Sequence, residues 1–131
     1  MTVSYIDISE AGERGPSFSD PLAVVAYIDT LRSRPPFMFE LDSDTGYELM
    51  VGLANEMGFA QFSQLGTGGP FFMTVDPQRE YDQQLEHDFL AGGVDTPIDD
   101  KYCISYDKLR EVVLYFAKRS ERNPNVNWEM L

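Results

Sequence analysis

Phe37-Met38-Phe39-Glu40-Leu41-Asp42, Tyr47-Glu48-Leu49-Met50-Val51-Gly52-Leu53 and Phe59-Ala60-Gln61-Phe62-Ser63-Gln64 are three short apolar-rich runs in the middle of the chain. Each is too brief for a packed helix, and each is bounded by turn-forming residues, Ser43-Asp44-Thr45-Gly46 after the first and Asn55–Gly58 after the second. A fourth run, Phe71–Val75, follows Gly66-Thr67-Gly68-Gly69-Pro70, where three glycines and a proline have too little strand propensity to be anything but a loop. Consecutive short strands joined by tight turns pair most simply with their chain neighbours, so this stretch reads as an antiparallel meander.

Working outward, Val3–Ile8 alternates apolar and polar residues as a half-buried strand does. Ser9–Ser19, with Gly12, Gly15 and Pro16, reads as a loop. Asp20-Pro21 then places a capping carboxylate ahead of proline at the first helical position, where its missing N–H costs nothing. The apolar face of Leu22, Val24, Val25, Ala26, Ile28 and Leu31 continues as a helix until Arg34-Pro35-Pro36. Towards the other end, Leu85–Leu90 fits a strand or a short helix, Gly92, Gly93 and Pro97 punctuate, and Tyr102-Cys103-Ile104 reads as a short strand. Ser105 caps a second helix in which Leu109, Val112, Val113 and Phe116 follow the i, i+3, i+4, i+7 spacing. Lys118, Arg119 and Arg122 suit the negative end of its dipole, and Pro124 bars continuation. The expectation is one α+β domain over residues 1–131, with an antiparallel sheet of about five to six strands and two principal helices.

Length and composition agree. The 131 residues suit one domain, and 43% hydrophobic with 13% aromatic residues supplies a core. A formal charge of -12, from 22 acids against 10 lysines and arginines, repels nucleic acid and anionic membranes and attracts basic partners. The single cysteine, Cys103, permits no internal disulfide, and the first residues carry no signal-peptide pattern, which together suggest the cytoplasm.

The chemistry of an enzyme is thin. One histidine, His87, and one cysteine leave few nucleophile–base pairs, and Cys103 stands between apolar neighbours as an inert thiol does. Those two residues cannot supply the four ligands of a structural zinc. Asp42-Ser43-Asp44 and Asp95…Asp99-Asp100 gather carboxylates, but neither follows a calcium loop, and solvated acidic loops are the simpler reading. Gly66–Gly69 is followed by no Lys-Ser or Lys-Thr and opens no helix, so it lacks the parts of a phosphate cradle. Glu86 and Asp88 resemble an acid–base pair only as any acidic protein does by chance. The chain is therefore expected to be a binding protein without catalytic residues, cofactor or metal.

Charge is uneven. Asp76, Glu80, Asp82, Glu86, Asp88, Asp95, Asp99 and Asp100 share their stretch with one cation, Arg79, while Lys108, Arg110, Lys118, Arg119 and Arg122 crowd into the last helix and its exit. Such a run either solvates the surface or forms a negative face that steers a basic partner. Trp128, the sole tryptophan, either packs back on the core or marks an interface.

From Tyr47 onward, the order of features resembles immunity protein family one of bacterial polymorphic toxin systems. The likeness rests on the strands around Leu49–Leu53 and Phe59–Gln64, the glycine loop, Gly92-Gly93, the helix entered as Ile104-Ser105-Tyr106-Asp107-Lys108-Leu109, and the closing Asn123-Pro124-Asn125-Val126-Asn127-Trp128. It covers the last two-thirds of the chain, and none of its parts is a catalytic signature. The resemblance implies an α+β fold and a cognate protein toxin as partner, often a nucleic-acid deaminase and sometimes a nuclease. A toxin that handles nucleic acid presents a positive groove, which surplus carboxylates can fill in place of phosphates. The partner-binding residues expected on this basis are Asp76, Glu80, Asp82, Glu86 and Asp88, with Tyr81 or Phe89 as apolar anchor and Phe71 as a further candidate; Gly92, Gly93 and Trp128 are expected to be structural. An acidic adaptor for a basic client is the alternative, and a hydrolase using Glu86 and Asp88 the remotest.

Overall fold

The computed structural model describes residues 1–131. The chain runs β1 (Val3–Asp7), β2 (Glu13–Phe18), α1 (Pro21–Asp29), β3 (Phe37–Ser43), β4 (Tyr47–Leu53), β5 (Met57–Gln64), β6 (Phe72–Val75), β7 (Glu86–Ala91), β8 (Val94–Asp99), a 3-10 turn (Asp100–Tyr102), β9 (Ile104–Ser105), α2 (Tyr106–Arg119) and β10 (Asn127–Met130). This is an α+β fold with two helices on a large sheet of order β10-β6-β5-β4-β3-β1-β2. Its pairings are antiparallel except for a single parallel bridge, Phe37↔Leu90, that attaches the β7–β8 hairpin to β3. The central meander lies where the sequence places it, with Leu41↔Leu49 and Leu49↔Phe62 aligned on one face.

The sheet has ten strands, not five to six, and each extra strand lies where local pattern is uninformative. β2 occupies the expected Ser9–Ser19 loop; it is an exposed edge strand containing Gly15 and Pro16, so it shows no apolar alternation, and an edge is where proline is tolerated. Gly15 is required there, because a Cβ would meet the Tyr5 ring at 2.7 Å. β8 was hidden by Pro97 in the same way, and β10 by the polar tail. Leu85–Leu90, open between strand and helix, resolves as β7. The short strand expected over Tyr102–Ile104 is instead a 3-10 turn leading into β9.

Alternation on β3 sends Phe37, Phe39 and Leu41 to one face and Met38 and Glu40 to the other. The first face carries both helices, and Val24, Val25 and Ile28 of α1 with Leu109, Val112, Val113 and Phe116 of α2 close its core. Burying each such side chain contributes about 1.5–3 kcal/mol. The second face is covered in part by the β7–β8 hairpin, over Met38, Phe59, Met73, Phe89 and Cys103. The approach of α2 depends on Gly58, where a Cβ would lie 2.1 Å from the Gly52 carbonyl and 2.7 Å from Leu109.

The helix signals act as read at their starts and differ at their ends. Asp20 accepts from the Leu22 amide at 3.0 Å and Ser105 from the Lys108 amide at 3.4 Å. α1 stops at Asp29, before the prolines, where the Thr30 hydroxyl donates back to the Tyr27 carbonyl. α2 stops at Ser120, which adopts a left-handed conformation (φ 56°), four residues before Pro124. No helix is long and apolar enough to cross a membrane.

Candidate functional site: an acidic hairpin on a clamped loop

The loop from Asp76 to Leu85 turns locally at Asp76 and Asp82, whose carboxylates accept from the Gln78 (3.1 Å) and Gln84 (2.9 Å) amides, and it is tied to the hairpin by Asp100. The Asp100 carboxylate is buried and accepts from His87 Nε2 at 2.7 Å, Arg79 Nη1 at 3.2 Å and the Asp82 amide at 3.1 Å. Arg79 also donates through Nη2 to the carbonyls of Asp100 (2.5 Å) and Cys103 (2.9 Å). Burial opposes the charge on Asp100, but the bonds from His87, the Asp82 amide and Arg79 outweigh it and hold its pKa at about 2. Arg79, the lone cation of the acidic stretch, is thus a fastener for the loop.

β7 then alternates. His87 and Phe89 turn inward, the ring of Phe89 packing edge-on against Phe59 at 5.2 Å, while Glu86 and Asp88 face out. Phe89 is fully buried and is not the apolar anchor expected of it: the same strand period that exposes its acidic neighbours hides it. Gly92 and Gly93, both at positive φ (60° and 76°), form the two-residue hairpin turn. Across the hairpin Glu86 stands opposite Asp99 and Asp88 opposite Pro97, while Asp95 is opposite Leu90. The outward face therefore carries Glu86, Asp88, Asp95 and Asp99, all exposed, and none of them forms an ion pair. Like charges directly opposite on paired strands are destabilising, so folding alone does not favour this arrangement.

The clamped loop adds to this face. Tyr81, 44% exposed, lines a hollow of about 160 Å³ together with Asp82, Asp99 and Lys101. Glu80 is exposed, and Leu85 (44%) and Val94 (65%) are apolar residues left open at the two ends of the hairpin. Asp76 does not join them: its carboxylate is ion-paired at 2.7 Å with Lys108 of α2 and held below the usual range by that bond. Phe71 is half-buried. Trp128 lies half-buried against the main core, its Nε1 donating to the Asn123 carbonyl at 3.1 Å.

Cys103 is buried, and burial pushes its thiol up to about 12, so it is no thiolate near neutral pH. One carboxylate group went unnoticed in the sequence. Glu40, Asp42 and Glu48 lie on adjacent strands with Asp42 opposite Glu48, and their oxygens come within 4.8 Å of one another, the spacing that a single cation would need. Burial, Asp42 and the charge of Glu48 raise the Glu40 carboxyl to about 8, and burial also raises Glu48. The outward acids of β3 and β4 are the signal that could have revealed it, had the hairpin register been known.

No protein-family model matches the chain, and no curated protein does.

Proposed function

We propose that the protein is an immunity protein that binds a cognate toxin acting on nucleic acid and occludes its active site, as a carrier of misplaced negative charge in a basic groove. The observation that carries this reading is the outward face of the β7–β8 hairpin: Glu86, Asp88, Asp95 and Asp99 stand without a paired cation and two of them directly oppose each other. A surface that only needed to be soluble gains nothing from that opposition, whereas a partner's lysines and arginines would relieve it on binding. Tyr81, which shares its hollow with Asp82 and Asp99, supplies exposed apolar area beside the acids and takes the anchoring role for which Phe89 was the other candidate. The Arg79–Asp100 clamp keeps Tyr81 and Asp82 ordered before binding, which lowers the entropic cost of association. Toxin control requires affinity on the order of nanomolar, about -12 kcal/mol, and charge steers while the anchor holds. Asp76, spent on Lys108, is left out of the interface.

The test is co-expression with a toxin encoded beside this gene. Cells should survive with the wild-type chain and die with a variant carrying Glu86→Lys and Asp99→Lys, provided that variant retains the wild-type circular dichroism spectrum. Equal killing with and without the wild-type chain would end the proposal.

A further inference from the structure

A second site lies away from the hairpin, where α2 ends. A cavity of about 650 Å³, within the range of small-molecule sites, is lined by residues that include Tyr47, Phe62, Arg119, Ser120, Arg122 and Trp128. Its cations are uncommitted. Of the 10 lysines and arginines, Arg34, Arg79, Lys101, Lys108 and Arg110 pair with carboxylates and Arg32 donates to the Asn55 carbonyl. The other four, Arg14, Lys118, Arg119 and Arg122, make no ion pair and no hydrogen bond, and two of these four, Arg119 and Arg122, meet in this one cavity. Arg122 is nevertheless oriented: its guanidinium lies over the Phe72 ring at 3.7 Å, which fixes the plane and leaves the N–H edges open. One carboxylate, Glu121, also lines the cavity, so its excess is a single positive charge.

The walls are aromatic and held in place. Tyr47 stacks on Phe62 with ring centroids 5.5 Å apart and planes 17° from parallel. Ser120 takes its left-handed turn with its hydroxyl bonded to Ser43 (2.5 Å) and Thr45 (2.7 Å), and the Trp128 indole is tethered to Asn123. Two free guanidinium groups beside flat apolar walls recognise a ligand that is both planar and anionic. We propose that this cavity binds a small aromatic anion, a ring bearing a phosphate or a carboxylate, with Arg119 and Arg122 on the anionic group and the aromatic walls against the ring. The site shares no residue with the acidic face and stands or falls independently of the immunity reading.

Trp128 is the only tryptophan and lies in the cavity wall, so its fluorescence reports on this site. The whole protein is titrated with adenosine 5′-monophosphate, benzoate, adenosine and inorganic phosphate, the first two distinguishing a phosphate from a carboxylate source. A saturable change is expected with at least one of the aromatic anions, with binding about tenfold or more weaker for adenosine and for phosphate alone, a difference of about 1.4 kcal/mol or more. The double variant Arg119→Ala, Arg122→Ala should lose at least about tenfold in affinity. Arg119→Glu, at an exposed position that leaves the Arg122–Phe72 contact in place, serves if the double variant does not fold. No saturable change with either aromatic anion up to about 10 mM, a weaker limit than about -3 kcal/mol, overturns the proposal. So does adenosine or phosphate binding as tightly as the aromatic anions, or affinity unchanged in the arginine variants.

Discussion

Replacing Glu40 by glutamine should make the protein more stable, by a margin that opens above the ordinary glutamate range and is complete once pH passes about 8. Glu40 sits with Asp42 and Glu48 on adjacent strands, and its carboxyl is raised to about 8 by burial, by Asp42 and by the charge of Glu48. Between the ordinary glutamate range and pH 8 the folded chain holds a proton that the unfolded chain has released. Stability from this group is therefore fully present below the unfolded pKa and is lost as pH rises through about 8. One proton over roughly three pH units sets a ceiling of about 4–5 kcal/mol. Glu40 is only half-buried and solvent screens the cluster, so about 1–2 kcal/mol is the working magnitude. Urea unfolding at pH 5 and pH 8.5 reads this directly. With a slope of about 1–3 kcal/mol per molar urea, the midpoint of Glu40→Gln should exceed that of the wild type by roughly 0.5–1 M at pH 8.5. At pH 5 the two should coincide. Glu80→Gln, at an exposed position, corrects for the loss of one unit of net negative charge. If Glu40→Gln and the wild type lose stability in parallel between the two pH values, the raised Glu40 carboxyl is not the source of the pH dependence.

Removing Arg79 leaves Asp100 buried without its cation, so Arg79→Ala should cost about 2 kcal/mol, discounted because the guanidinium is partly exposed. Amide hydrogen exchange should quicken at Asp82, whose N–H the same carboxylate holds. Neutralising the opposed pair with Glu86→Gln and Asp99→Asn should raise stability by about 0.5 kcal/mol in thermal unfolding; a stability loss would mean the two acids do not repel. Ser120→Ala should destabilise by about 1–3 kcal/mol through the Ser43 and Thr45 hydroxyls, and Ser120→Gly by about 1 kcal/mol less, because glycine alone accepts the left-handed turn freely. Leu109→Ala, at a fully buried position against Gly58, should cost about 2–5 kcal/mol in denaturant unfolding.

The elements legible in the chain are those whose fate is set by neighbours in sequence. The β3–β6 meander declares itself because apolar runs of strand length are bounded by turn residues, and α2 because a capping serine precedes a helical apolar stripe. Both depend on contacts within a few residues, and local pattern reports these. The alternation of Glu86, His87, Asp88 and Phe89 was equally readable, and taken literally it puts Phe89 inside once Glu86 and Asp88 are outside. β2, β8 and β10 have no such signature, since edge strands exposed to solvent need no apolar period and tolerate proline.

Tertiary structure alone decided which charges are free. Composition sets the surplus of acids, and Asp76 and Asp82 look alike in the chain; yet Asp76 meets Lys108 across 32 positions, while Asp82 is left to the surface by a loop that Arg79 and Asp100 hold. The same holds for Glu40 and Glu48, made neighbours by hairpin register, and for Arg119 and Arg122, brought beside Tyr47 and Phe62 by the packing of α2. Coulomb energy depends on separation in space and on the dielectric between charges, and sequence distance carries neither.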